Sequence, residues 1–433
     1  MQSILRYCLS NLHVLHQQFL HFIATNSVER KTNLLFRHHK KILVSLFMNF
    51  LFVVVCKAQT EEATPQKDLI DIGRKLFYKA AARSDTNTQK RVYFSFLPTG
   101  SSNGVPGAVF ITSTTAGFYL GDPQKTFIST ITFAPYWNFK SRFGLPLRSN
   151  IWLKNNVMTI QGDTRFLVYP QLTYGLNGGA SSSDRILLNA KYIRFYQSAL
   201  FRIKTYLFAG IGYNLDNHLD IETNSGANIK TVTTYPFGTA TDFNSISSGF
   251  NLNLLYDTRN NLLNPLPGSY INIVYRYNPI FMGSDNTWQS LYVDLRKYVS
   301  LSKSRHQLFA FWMYYWTTLS GNTPYLDLPS IGWDPYNRSG RGIPQGRFRG
   351  QHLLYGEAEF RSNITDDGLL GFVLFGNLNA VTQPQTYNFV YFHPAEGFGL
   401  RMKFNERSNT NIALDFARSS GFHTISFNLG EAF

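Results

Sequence analysis

Residues that could carry covalent chemistry are few and scattered along the 433-residue chain. Beyond residue 58 the histidines are His218, His306, His352, His393 and His423, and none stands at a telling spacing from a serine that it could activate. Glycine-rich phosphate loops, metal-ligand clusters and catalytic carboxylate pairs do not rise above background, and Asp366-Asp367-Gly368 reads as a hairpin turn. The expectation is a protein that is not an enzyme and uses no cofactor or metal. The densest chemistry lies in the run Arg341-Gly342-Ile343-Pro344-Gln345-Gly346-Arg347-Phe348-Arg349-Gly350. An arginine carried into an interior is costly unless its five donors meet acceptors, and an adjacent glycine permits the close backbone turn that lets a loop tip descend. Arg341 and Gly342 are therefore the candidate anchor of an inward-folded loop, and their chemistry is charged hydrogen bonding.

An anchor needs walls, and the composition restricts what they are. Charged residues make up 15% of the chain, well below the ~25% of ordinary soluble domains, while 37 Phe and 25 Tyr favour pleated surfaces over helices. The mean hydropathy is -0.17, and beyond residue 58 no stretch approaches the ~18 to 20 apolar residues of a spanning helix. Any membrane-spanning part must then be a β-barrel, because only a closed sheet satisfies its backbone within the bilayer. From Asp68 to Ala82, Leu69, Ile72 and Leu76 recur at helical spacing and predict one short amphipathic helix.

After that helix the period changes to two. Between Phe201 and Leu215 the odd positions are apolar or small, and Phe250, Leu252, Leu254 and Tyr256 alternate with Asn251, Asn253 and Asp257. Ile271, Ile273, Tyr275 and Tyr277 alternate with Asn272 and Arg276; Leu291, Val293 and Leu295 with Tyr292, Asp294 and Arg296; Phe398, Leu400, Met402 and Phe404 with Gly399, Arg401 and Lys403. Arginine and lysine on one face of strand after strand, with large aromatics on the other, indicate a wet lumen and a lipid-facing exterior. Polar stretches at 177–184, 216–228, 239–248 and 320–350 read as long loops. At roughly 20 residues per strand and connection, the chain beyond residue 90 holds about 16 strands, an even number as bacterial barrels require. The expected fold is all-β: a transmembrane antiparallel β-barrel over 91–433, preceded by a short periplasmic segment, 59–90, that bears the helix.

Residues 1–58 read as a leader with a signal peptide. Arg37, His38, His39, Lys40 and Lys41 precede the apolar run Ile42 to Cys56, and the small Ala58 suits cleavage. A lipoprotein reading through Cys56 ranks second, because Val55 stands where a small residue is wanted. A start misplaced upstream explains the long stretch 1–36. Both cysteines, Cys8 and Cys56, fall before the cut, so the exported part carries no thiol. The leader holds seven basic residues and one acid, leaving 34 basic and 25 acidic beyond it, a net +9 that suits an anionic lipopolysaccharide surface better than nucleic acid. Ile425, Phe427, Leu429, Glu431 and Phe433 alternate along the last strand, and the final aromatic, Phe433, resembles the assembly signal of outer-membrane barrels, which would place its ring toward lipid.

Four segments resemble the bacterial surface antigen family, the BamA and TamA type of outer-membrane barrel. Tyr256-Asp257-Thr258-Arg259-Asn260 with Asn264-Pro265 and Pro267-Gly268 resembles the family's aromatic-Asp-x-Arg-Asp segment and its turn. The run 341–350, with Glu357-Ala358-Glu359-Phe360-Arg361 after it, resembles the inward sixth loop and the strand that follows, although Ile343 replaces the usual aromatic. Phe375-Gly376-Asn377 is similar to the family's Phe-x-Asp, and Gly397-Phe398-Gly399-Leu400-Arg401 with Ile412-Ala413-Leu414-Asp415-Phe416 to its final strands. The resemblance implies that Arg341 pairs with the residue at the Phe-x-Asp position, here Asn377, which has no charge; Glu357, Glu359 or Asp415 are the candidates to supply it.

The resemblance is to short members of barrel alone, since between the expected leader and the strands there are fewer than half of the roughly 75 residues of one periplasmic repeat. It implies location in the outer membrane and a role in outer-membrane protein or envelope assembly, with a passive or substrate-selective pore as the alternative. The implied partners are outer-membrane lipid and lipopolysaccharide, the barrel-assembly machinery and client outer-membrane proteins; no nucleic acid is expected.

Overall fold

The computed structural model describes residues 67–69, 72 and 92–433, apart from 101–109, 139–140, 177, 224–234, 236–242, 260–263, 266, 303–306 and 407–408. The expected leader lies outside the described residues, as does the segment 59–90 apart from 67–69 and 72. Everything described belongs to one compact unit, Glu61–Phe433.

The strands are β1 (Val92–Gly100), β2 (Phe110–Phe118), β3 (Ser129–Phe133), β4 (Tyr136–Trp137), β5 (Phe143–Trp152), β6 (Met158–Val168), β7 (Gln171–Thr173), β8 (Ile186–Lys204) and β9 (Leu207–Thr223). They continue with β10 (Ser245–Asp257), β11 (Gly268–Asn278), β12 (Trp288–Ser302), β13 (Gln307–Gly321), β14 (His352–Asn363), β15 (Leu370–Thr382), β16 (Phe389–Asn405), β17 (Thr410–Ser419) and β18 (Phe422–Leu429). Every ladder is antiparallel between neighbours in the chain. β3 and β4 both pair with β2 and β5, so they are one interrupted strand, and β6 and β7 likewise follow each other along β8. Among the described residues the sheet therefore has 16 strand positions, in line with the number expected from the chain's length. It is nearly closed: β1 and β18 lie side by side, but among the described residues no ladder joins them.

The alternation resolves into outside and inside. Phe201, Ile211 and Phe398 stay 58, 57 and 51% exposed, which a lipid solvent favours, while Asn251, Asp294, Arg296, Glu357, Arg401 and Asp415 are buried in the lumen. Among the described residues no helix is long and apolar enough to cross a membrane. Of the expected helix over 68–82, the described start is a backbone bond from Ile72 to the Asp68 carbonyl (3.2 Å). The segment is fixed to the sheet there: Lys67 pairs with Asp367 at 3.0 Å, and the Asp68 carboxylate accepts from the Glu406 amide at 2.9 Å.

Three expectations need correction. The stretch 201–215 is two strands, broken by a turn at Thr205-Tyr206 where Tyr206 takes a left-handed φ of 64°. The polar stretch from Asp216 is strand as far as Thr223, and Ser245–Ser248 at the end of the expected loop 239–248 already belong to β10, because polar residues are at home on a lumen face. The last strand stops at Leu429, since Gly430 at φ 86° turns the chain inward. Glu431 and Phe433 therefore leave the lipid-facing row and are only 4% exposed. The Phe433 ring lies 5.3 Å from Trp312 and 6.2 Å from Tyr298 in the lumen, and the Arg361 guanidinium donates to a main-chain oxygen of Phe433 at 2.9 Å.

Candidate functional site

The connection between β13 and β14, residues 322–351, folds into the barrel, and most of its residues are buried. Its apolar side chains drive this, as Ile331, Ile343 and Phe348 join the lumen cluster of Trp312, Tyr314 and Tyr355. The buried Asp334 carboxylate sets the tip by accepting from the amides of Ser339 (2.9 Å), Arg338 (3.1 Å) and Tyr336 (3.2 Å), a local closure that an aspartate side chain can make. At the tip, Gly342 has φ 90°, and a Cβ there would stand 3.1 Å from both the Ala395 methyl and the Arg418 carbonyl. Only glycine fits the turn and the approach. The Gly342 carbonyl accepts from the Ser419 hydroxyl at 2.6 Å, and its amide donates to Thr424 at 3.2 Å.

Arg341 places its guanidinium among three carboxylates. It donates to Glu357 and Glu359, adjacent on the inner face of β14, and at 3.1 Å to Asp415 on β17. The Phe375 ring packs against the guanidinium at 3.5 Å. Asn377 stands beside the site without joining the charge: its amide nitrogen donates to the Arg341 carbonyl at 2.9 Å. The acids are shared with further cations, Glu359 with Arg361 at 2.5 Å and Asp415 with Arg401 at 2.6 Å. Arg401 also meets Glu431 at 2.7 Å. Burial works against the charge of Glu431, yet Arg401 and Arg361 hold its carboxyl below the usual carboxylate range. The result is a buried lattice of alternating charge that ties the loop tip to the last strands.

Several residues that hold the loop have no counterpart in the sequence reading. Arg338 donates to the carbonyls of Leu429 and Glu431, joining the loop to the inturned tail. Arg349 gathers loop carbonyls, those of Tyr325 at 2.9 Å and Leu326 at 3.1 Å. On the opposite wall Arg165 reaches the loop at Asn337 (3.1 Å) and the Pro335 carbonyl (2.8 Å). That wall has its own lattice, in which Asp216 accepts from Tyr192 and Tyr196 and pairs with Arg276 (2.5 Å) and Arg194 (3.3 Å). Two of the histidines touch the loop: His218 meets Asp327 at 3.1 Å, and His393 stacks on Phe348 at 3.7 Å. His352 bonds to Thr317 at the loop's end, His423 is exposed, and His306 lies outside the described residues.

The Omp85 superfamily domain matches residues 134–326, from between β3 and β4 into the inward loop. Among solved structures the chain is similar to BamA from Haemophilus ducreyi lacking POTRA domains 1-3, with 15% identity, 78% of this chain and 69% of that chain covered, and a TM-score of 0.50. It is also similar to CdiB from Acinetobacter baumannii (14% identity, 78% and 60% covered, TM-score 0.51) and CdiB from Escherichia coli (9%, 78% and 62%, TM-score 0.51). The chain spans less than two thirds of either CdiB chain, and at these identities the likeness is one of fold. No curated protein matches the sequence.

Proposed function

We propose that this chain, an outer-membrane β-barrel of the Omp85 type, acts without enzymatic chemistry in outer-membrane protein or envelope assembly. The observation that carries the reading is the seam. Among the described residues every other strand boundary is a hydrogen-bonded ladder, whereas β1 and β18 adjoin without one, which leaves backbone donors and acceptors for an incoming strand to pair with. The inward loop supports the same reading, because a lumen filled by residues 322–351 and held by Arg341 is poorly suited to free diffusion. The partners in this reading are outer-membrane lipid, lipopolysaccharide, the barrel-assembly machinery and client outer-membrane proteins.

Depletion in the native host separates this role from that of a pore. Accumulation of unfolded outer-membrane proteins, with solute uptake per assembled porin unchanged, is the expected result. Loss of uptake while other barrels assemble normally would reject the assembly role in favour of a pore.

A further inference from the structure

We propose that the lumen beside the tip of the inward loop binds a phosphoryl oxyanion, held between Arg148 on β5 and Arg338 on the loop. The ground for it is an imbalance of charge around a cavity of about 330 Å³ that both side chains line. On the wall, Asp163 pairs with Arg165 at 2.5 Å and Arg194 at 3.3 Å, and reaches Arg148 only at 3.8 Å. Asp216 pairs with Arg276 at 2.5 Å and with the same Arg194 at 3.3 Å. Four arginines thus share two carboxylates. Arg338 adds a further cation: it donates to the carbonyls of Leu429 and Glu431, and among the described residues no carboxylate comes within ion-pairing distance of it. The other acids nearby are engaged. Asp294 pairs with Arg296 and Glu431 with Arg401, Asp327 meets His218 and the Ser247 hydroxyl, and Asp334 accepts from loop amides. A cation withdrawn from bulk water is costly until a counter-charge meets it, so the cavity favours an anion.

A solute can reach both arginines. The Arg148 side chain is 27% exposed, Arg338 is partly exposed, and Tyr336, whose carbonyl accepts from Arg148 at 3.2 Å, is 41% exposed beside the same cavity. Strand register sets neutral donors next to them. Arg148 lies opposite Thr132 on β3, and Asn150, two residues on, lies opposite Gln161 on β6, all four lining the cavity. Asn150 Oδ1 already accepts from the Thr159 hydroxyl at 2.9 Å, which leaves its amide nitrogen to donate. A guanidinium presents a planar fork of donors that matches two oxygens of one oxyanion, whereas a halide fills a single position. A phosphoryl group brings three acceptor oxygens and about −1.5 to −2 charges at neutral pH, enough to answer a cation on each side. A carboxylate carries one charge and answers only one of them.

The proposal is independent of the assembly role. Its test is isothermal titration of the full chain, folded in a non-ionic detergent and chloride-free buffer, with inorganic phosphate and with glycerol 3-phosphate. Sodium chloride, sodium acetate and glycerol serve as the competing chemistries. At least one phosphate should bind more tightly than chloride and acetate, and glycerol should not bind. Binding of inorganic phosphate marks a free ion as the ligand, and binding of glycerol 3-phosphate alone marks a lipid headgroup. Arg148→Gln and Arg338→Gln should each weaken binding by about tenfold or more, the size of a lost charged hydrogen bond, while the folded, heat-modifiable band persists. Absence of binding by both phosphates, equal binding of chloride or acetate, or parental affinity in either folded variant would overturn it. Arg338 also holds the tail, so should Arg338→Gln fail to fold, Arg148→Lys, which keeps the charge and loses the fork, replaces it under the same criterion.

Discussion

The two sides of the lumen use the same residue types differently. On β14 to β17 the wall offers an excess of carboxylate, Glu357, Glu359 and Asp415, and the loop supplies the cation, Arg341, so charge crosses from wall to loop. On the opposite side the cations and acids belong to the same strands. Asp163 and Arg165 on β6 and Asp294 and Arg296 on β12 are pairs two residues apart on one inner face, Asp257 at the end of β10 pairs in the same way with Arg259 just beyond it, and apart from Asp327, which meets His218 and the Ser247 hydroxyl, the loop brings that wall neutral groups such as Asn337 and the Pro335 carbonyl. One side is stitched to the loop by an arginine among three acids, whereas the other balances most of its charge within itself. A buried charge left alone costs far more than a lost neutral bond, so the contrast predicts unequal responses to mutation.

The largest effect should come from Arg341→Ala, which leaves three carboxylates in one buried place. A loss of about 3 to 5 kcal/mol is expected for breaking such a cluster, read as a lower unfolding temperature on heat-modifiability gels, with larger and steadier planar-bilayer conductance as the loop comes free. Arg165→Ala on the other side should destabilise less and leave conductance small; equal effects of the two variants would erase the contrast.

Next in size is Phe433→Ala, expected to cost about 3 kcal/mol because a ring is deleted from the lumen pocket of Trp312 and Tyr298. Phe433→Leu should recover much of this. A variant as heat-stable as the parent would show that the inturned tail adds nothing to the anchored side.

Asn377→Asp sharpens the comparison further. The amide donor to the Arg341 carbonyl is lost and a fourth acid joins the cluster, so a loss of about 1 kcal/mol is expected despite the closer match to the family pattern. Increased thermal stability would show that the anchor is short of negative charge.

The smallest effect is one of pH. Because the carboxyl of Glu431 is held below its usual range, its contribution is present above the ordinary carboxylate pKa of about 4.3 and is lost as pH falls below that value. Glu431→Gln should therefore be less stable than the parent at pH 7 and converge on it under acid, as followed by thermal melts across pH 3 to 7.

What the sequence made legible follows from how the membrane acts on it. Lipid outside and water inside impose a strict period of two, so faces such as Phe398/Leu400 against Gly399/Arg401 are readable residue by residue. The same logic hid Asp216, since Asp216-Asn217-His218 looks like a turn when the inside of a barrel is itself polar. At the C-terminal end the alternation runs unbroken through Gly430 in sequence, but glycine's left-handed backbone rotates Glu431 and Phe433 out of the row. Arg341 and Gly342 stand out by type, whereas the choice among Glu357, Glu359 and Asp415 depends on registers across four strands, which no local pattern encodes. One signal was available: an acid two residues before an arginine recurs at Asp163, Asp257, Asp294 and Glu359, and each pair bonds within itself.

The buried loop also constrains the order of events by which the chain acquires its structure. Its contacts join residues far apart in sequence, Arg165 to Asn337 across 172 positions and Arg338 to Glu431 across 93. Such pairings form slowly, because a long stretch of chain must be closed before they stabilise anything. Residues 322–351 have to be enclosed while the N-terminal strands are still open, for a finished cylinder would leave them outside. The rate-limiting step of refolding should then be the closing of the early strands around an already seated loop, and weakening that seat should slow the appearance of the compact form more than it speeds its loss.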